Sequence, residues 1–332
     1  MKPVVTRYLS AADVTAAMPP VEERLVLAER TMTALVADAE LPPKIGVHPR
    51  PAGSFAHAMP AALRDPDGID LLGMKWVAGF PENRAAGLPA IHAVVVLNDP
   101  ATGVPRAILD GGPITAQRTA AVSGVALSLF GPQHLARVPA PRAAIIGAGV
   151  QGYSHLDVLA HVLPGVELAI HDRHQERAEA LAEAARSTPG ITAASTLDSA
   201  RGAVAEADVV ITAASFTDPA NRQAMTSDWL TPNALVIPVD YATMCAAEVA
   251  EGAALFLVDD RGQFVANRQA GQFDGYPDPV STLGVAILAG TARPSSGRVV
   301  VTHLGVGLAD VVFADAIVRR AEAAGLGTAL RG

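Results

Sequence analysis

The stretch AAIIGAGVQG at 143–152 constrains the fold of this chain more than any other. Apolar residues run into glycines at 147, 149 and 152, and after Tyr153 the stretch SHLDVLAHVL continues with helical spacing. A strand that turns through G-x-G-x-x-G into a helix is the first half of a βαβ dinucleotide fingerprint. The second half is an acidic residue closing the next strand, and Asp172 closes ELAIHD 20 residues after Gly152. Gly147 permits the tight turn, Gly149 lets backbone approach a pyrophosphate, and Gly152 lets the helix lie close to its strand. Val150 and Gln151 open the helix, so their N–H groups belong to the same cradle. Asp172 suits both ribose hydroxyls of NAD and repels a 2′-phosphate. Arg173 and Arg177 follow closely enough to pair with such a phosphate, so NAD is expected and NADP remains possible.

From 143 onward the pattern alternates between short apolar runs and helical segments. Strands are expected at 143–147, 167–171, 208–213, 234–239, 254–259 and 298–304, and helices at 151–163, 175–186 and 198–206. That alternation predicts an α/β fold with a Rossmann-type, doubly wound parallel sheet covered on both faces. The first third reads differently. Residues 11–40 have helical spacing, LPPKIGVHPRP breaks it, and strands are expected at 71–80, 90–99 and 104–111, an antiparallel meander. A long helix is expected at 114–130, a proline-punctuated boundary at 132–142, and an amphipathic helix in GLADVVFADAIVRRAEAAG that returns to the first domain.

The charge balance of −8 argues against nucleic acid or an anionic membrane as partner. No apolar run approaches a membrane span, MKPVVTRYLSAADV lacks a signal-peptide core, and the single cysteine, Cys245, fits a reducing compartment. A cytoplasmic protein is the expectation. The nine histidines show no spacing suited to a metal, and none is expected.

Against this acidic background three cations of the first domain stand out: Lys44 after the PP break, Lys75 inside LLGMKWVAGF, and Arg118 in ITAQRTAA. Together they suggest a carboxylate-binding group, Arg as a planar fork and Lys as a point charge. Asp240, after ALVIPV, falls at the carboxyl end of a predicted parallel strand, where open α/β sheets bind ligands. It can serve as a general base there, or merely cap the CAAEVA helix. Thr212 lies near the end of DVVITA and His303 follows VVVT; both are assigned to the cofactor. His171, beside Asp172, reads as structural or adenine-side, and Cys245 as packing. Asp274 and Asp278 either line a cleft or cap turns.

KWVAGFPENRAAGLPAIHAVVVLNDPATGVPRAILDGGPITAQRTAAVSGVAL, IIGAGVQG and GVGLADVVFADAIV together resemble the ornithine cyclodeaminase/mu-crystallin family, over roughly 40–320. The resemblance implies a homodimer of two-domain subunits. A discontinuous α+β substrate-binding and dimerisation domain would comprise 1–130 and 306–332, and an NAD(P)-binding Rossmann domain 131–305. It places Lys75 and Arg118 on the substrate carboxylate and the cofactor end, and Asp240 on the substrate nitrogen. Lys44 stands where many members carry Arg, Ala90 where Thr is common, and Met244 near an expected Lys. These departures favour an NAD(P)-dependent amino- or imino-acid oxidoreductase over redox-neutral cyclodeamination of ornithine. A mu-crystallin-like binding protein is the third reading.

Overall fold

A computed structural model describes residues 5–66, 68–132 and 140–331. Along the chain, β1 (Val5–Leu9), α1 (Ala11–Ala16) and α2 (Val21–Ala37) lead into β2 (Ala39–Glu40), β3 (Ile45–Val47), β4 (Phe55–Leu63), β5 (Leu71–Gly79), β6 (Ile91–Asn98), β7 (Pro105–Asp110) and α3 (Gly111–Phe130). Then follow β8 (Arg142–Ile146), α4 (Val150–Val162), β9 (Val166–His171), α5 (Gln175–Arg186), β10 (Ile191–Thr196), α6 (Ala200–Val204), β11 (Val209–Thr212), β12 (Leu235–Pro238), α7 (Ala247–Glu251), β13 (Leu255–Val258), α8 (Arg261–Gln269), β14 (Ser281–Thr282), α9 (Leu283–Leu288) and β15 (Val299–Thr302). α10 (Gly307–Ala323) and β16 (Thr328–Arg331) close the chain.

Two compact units result: residues 1–118 with 305–332, and residues 119–304. The sequence reading put the first crossing at 130/131, after the long helix. It falls inside α3, after Arg118, because the later part of that helix bonds within the second unit through Ser123. The boundary expected at 132–142 lies mostly on 133–139, outside the described residues.

In the first unit the strand order is β16-β1-β7-β6-β5-β4-β2, with β3 also on β4. β5 to β7 form the expected antiparallel meander, β4 extends it antiparallel to β5, and β1 joins it parallel to β7. Period-2 alternation sorts the two faces. Leu71, Gly73, Lys75, Val77 and Gly79 point to the side on which α10 packs, and Leu72 and Trp76 to the other, exposed side. Gly73 has a packing reason: a Cβ there would meet the Val96 carbonyl oxygen at 2.6 Å and Val311 of α10 at 3.1 Å. The single helix expected over 11–40 is two helices. Pro19 and Pro20 interrupt it, and α2 starts after Pro20, where a missing N–H costs nothing.

In the second unit an all-parallel sheet has the order β10-β9-β8-β11-β12-β15-β13-β14. The strands leave β8 in opposite directions, β9 on one side and β11 on the other. That arrangement is the topological switch at which doubly wound sheets bind ligands, outside the carboxyl ends of the strands. Val210, Val236, Phe256 and Val300 of the sheet share a buried cluster with Phe264, Phe273 and Tyr276. Cys245 belongs to the same cluster, and burial pushes its thiol up to about 12, so it is packing rather than a nucleophile.

Candidate active-site groups

The glycine turn has the geometry its spacing requires. Gly147 has φ +109°, and a Cβ there would strike the carbonyl of Ala213, so both the backbone angle and the close approach demand glycine. A Cβ on Gly152 would meet the Gly147 carbonyl oxygen at 2.6 Å and Leu181 at 3.0 Å, which is the close helix–strand packing expected. At Gly149 a Cβ would meet no protein atom within 4 Å. Gly149 is the N-cap of α4 and provides no side-chain cap, and Val150 is 70% exposed. The first turn thus presents N–H donors and a positive dipole end outward, a setting that fits a pyrophosphate.

Asp172 is locked at the end of β9. One carboxylate oxygen accepts from the Ala148 N–H at 2.8 Å and the other from the His174 N–H at 2.9 Å. Each oxygen keeps a lone pair for a ribose hydroxyl. Arg173 is exposed beside it. His171 bonds the Leu197 carbonyl at 2.9 Å, a link to the start of the next crossover, as its structural reading requires.

Asp240 is 3% exposed, just past β12. It accepts from the Thr212 hydroxyl at 2.8 Å and from the Ala214 N–H at 3.0 Å. Burial outweighs these bonds and pushes its carboxyl up to about 7. The helix-cap reading of Asp240 fails, since α7 begins after Ala246. The next residue, Tyr241, holds a left-handed φ of +61°, and its hydroxyl donates to the Leu304 carbonyl at 3.2 Å. Strain of this kind in a non-glycine residue needs surrounding structure to hold it and concentrates at functional sites. Thr212 ends β11, and Asp240 and His303 lie just past the ends of the neighbouring strands β12 and β15. Asp278 pairs with Arg268 at 2.7 Å and the Asp274 carbonyl accepts from Gln223, so the 273–279 turn is held by ordinary loop bonds.

In the first unit, Lys75 and Arg118 meet at a carboxylate that sequence reasoning missed. Asp310, fully buried in the first turn of α10, takes the Lys75 ammonium at 2.7 Å and the Arg118 Nε at 3.2 Å. Lys75 also donates to Thr115 Oγ1 at 3.4 Å. Desolvation lowers the Lys75 pKa to about 7, against the pull of Asp310 and with the push of Arg118. The Arg118 guanidinium lies over Gly305, where any side chain would run into it.

Lys44 adds positive charge around Lys75. The strand register explains its placement. Gly46 pairs with His57, and Met59 with Lys75. Period 2 puts Lys44, Gly46, His48, His57 and Lys75 on one face of the sheet. The His57 ring occupies the space that a side chain at 46 would fill. Burial, then Lys44, His48 and Lys75, lowers the His57 pKa. His57 was not singled out from sequence, because its link to Lys75 exists only through strand pairing. No cluster suited to a metal ion occurs among the described residues.

Comparison with known proteins places these groups in a family. The nodulation efficiency protein NfeD of Rhizobium meliloti is 35% identical over 328 residues, 97% of each chain. A Delta(1)-pyrroline-2-carboxylate reductase of Bacillus cereus is 28% identical over 285 residues, covering 82% of this chain and 85% of that one. The structure of Thermococcus litoralis Delta(1)-pyrroline-2-carboxylate reductase in complex with NADH and L-proline superposes with a TM-score of 0.83 at 26% identity, over 97% of this chain and 99% of that one. The model of the ornithine cyclodeaminase/mu-crystallin family matches residues 6–261, and the chain belongs to that family.

Proposed function

We propose that the protein is an NAD-dependent oxidoreductase that reduces the C=N bond of a small α-imino acid, or oxidises the matching amino acid. The observation that carries this reading is Asp240, a buried carboxyl poised near neutrality at the carboxyl end of a dinucleotide-type sheet. Asp172, held by two backbone N–H groups, selects NAD over NADP. With its pyrophosphate at the glycine cradle, the dinucleotide would supply the two-electron exchange through its nicotinamide.

The chain's own residues supply binding and proton movement. Lys75 and Arg118 hold the substrate carboxylate, with Lys44 adding charge. With Lys75 protonated, two cations against Asp310 leave one net positive charge, matched to one carboxylate. Asp240 holds or takes a proton at the substrate nitrogen, and its pKa near the working pH suits exchange in either direction. Thr212 and the Ala214 N–H orient it.

The surroundings of Lys75 favour reduction over cyclodeamination of a diamino acid. Among the described residues, Lys44 and Arg118 add positive charge at Lys75 and Lys44 and His48 at His57, while the carboxylate acting on Lys75, Asp310, is committed to Lys75 and Arg118. A second ammonium on the substrate would meet repulsion. The relatives named as pyrroline-2-carboxylate reductases support the same substrate class.

The reading includes a cytoplasmic homodimer. No helix among the described residues is long and apolar enough to cross a membrane. The outward face of the first unit's sheet exposes Ile45, Val47, Leu72, Trp76 and Val94, an apolar surface suited to a second copy. Light scattering on the purified protein checks the dimer.

A paired assay tests the function. NADH with Δ1-pyrroline-2-carboxylate is followed by loss of the reduced-nicotinamide absorbance. Ornithine with catalytic NAD is followed by ammonia release. Loss of the band without ammonia supports the proposal. Ammonia from ornithine without net cofactor change replaces it with cyclodeamination. Cofactor binding with neither reaction replaces it with a binding protein.

A further inference from the structure

Inside the second unit three side chains from distant parts of the sequence form one buried hydrogen-bonded chain. His155 of α4 places Nδ1 2.6 Å from the carbonyl of Gln151, one turn earlier. Its Nε2 is 2.8 Å from Ser123 Oγ of α3. The same Oγ is 2.9 Å from Nε2 of His303, just past β15. His155 is 0% exposed, Ser123 1% and His303 3%.

Proton counting gives this chain one arrangement. A carbonyl oxygen can only accept, so His155 carries its proton on Nδ1. Burial holds the His155 pKa down at about 4, so at neutral pH the ring has that one proton and Nε2 accepts. Ser123 has a single hydroxyl proton, which goes to His155. Its oxygen must then accept from His303, whose proton sits on Nε2. In the neutral His303 ring, Nδ1 is the acceptor nitrogen.

We propose that Ser123, backed by His155, is a positioning residue that fixes His303 as its Nε2–H tautomer, so that the ring offers a hydrogen-bond acceptor to an N–H donor of the cofactor, the carboxamide of the nicotinamide. The placement fits this role. His303 follows β15, beside the strand that leads to Asp240. The far end of the chain rests on Gln151 in the first turn of the cradle helix, so the same helix that receives the pyrophosphate anchors the tautomer.

The inference rests on the proposed binding of a nicotinamide dinucleotide, and two measurements separate the two ideas. The first needs no cofactor. Histidine-selective 15N labelling and long-range 1H–15N correlation of the intact protein should show His303 protonated on Nε2 and His155 on Nδ1. His303 protonated on Nδ1 overturns the proposal. The second compares the affinity of NAD with that of its 3-acetylpyridine analogue, which lacks the carboxamide N–H, by calorimetry. The wild type should prefer NAD by roughly tenfold. Ser123→Ala should shrink that preference severalfold, and Ser123→Thr, which keeps the hydroxyl, should restore it. An equal preference in wild type and Ser123→Ala overturns the role. Failure of the wild type to bind either dinucleotide overturns the functional reading and this one together, whatever the spectrum shows of the tautomer.

Discussion

Asp240→Asn separates the energetic and chemical consequences of one buried carboxyl. Burial raises the Asp240 pKa from 3.8 to about 7. At about 1.4 kcal/mol per tenfold change in proton affinity, the ionised form costs the fold on the order of 4 kcal/mol. The folded protein holds this proton more tightly than the unfolded chain does. The stability contributed is therefore fully present below about pH 4 and is lost as pH rises through about 7. Asparagine removes that slope. It also has a single acceptor oxygen for two donors, the Thr212 hydroxyl and the Ala214 N–H, and loses about 1–3 kcal/mol for the bond it drops. The variant should thus be less stable than wild type at pH 4 and equal or more stable at pH 8, read from urea denaturation across that range. Turnover of an imino acid should fall by about 10²–10⁴ at every pH, with NADH binding retained. Denaturation curves that stay parallel from pH 4 to 8, or turnover within threefold of wild type, would refute the reasoning.

Other outcomes follow from the same geometry. Gly149→Ala should fold normally, since the Cβ meets no protein atom, yet weaken NADH binding roughly tenfold or more in a fluorescence titration. Gly147→Ala should instead lower stability, because φ +109° and the Ala213 carbonyl both oppose a side chain. Lys75→Met leaves Asp310 to Arg118 alone and removes the net positive charge; KM for the imino acid should rise roughly tenfold or more, with NADH affinity unchanged. Asp172→Asn removes the charge that repels a 2′-phosphate, and Arg173 remains beside it. The ratio of NADPH to NADH affinity should rise by about tenfold or more in competitive titration.

The parts of the molecule legible in the sequence were those encoded locally. The cradle is ten consecutive residues, and the alternation of apolar runs with helical segments carries the parallel sheet with it. β4 was not read as a strand because Pro60 sits in its middle. The pairings explain how it is tolerated: β3 covers residues 56–58 and β2 covers 62–63, so Pro60 falls where no strand pairs on that edge. The strands β1, β10 and β16 escaped because VTRYL, ITAAST and TALR lack the continuous apolar run by which the equally short β11, β12 and β13 stand out. Lys75, Arg118 and Asp240 were visible as charges in apolar surroundings. Asp310 was hidden because one acid in a mixed helix reads as its polar face, and only packing against β5 shows it buried. Ser123, His155 and His303 lie 32 and 148 positions apart, and no local pattern joins them.

The central claim is that this protein moves a hydride between nicotinamide and the carbon of a C–N bond. Its most direct test uses NADH deuterated at C4 with Δ1-pyrroline-2-carboxylate, and mass spectrometry of the amino acid formed. The account predicts proline carrying one deuterium at the α-carbon from one face-specific form of the cofactor, with one NADH consumed per product. Proline without deuterium from either form, or cofactor left unoxidised at full binding, would contradict it.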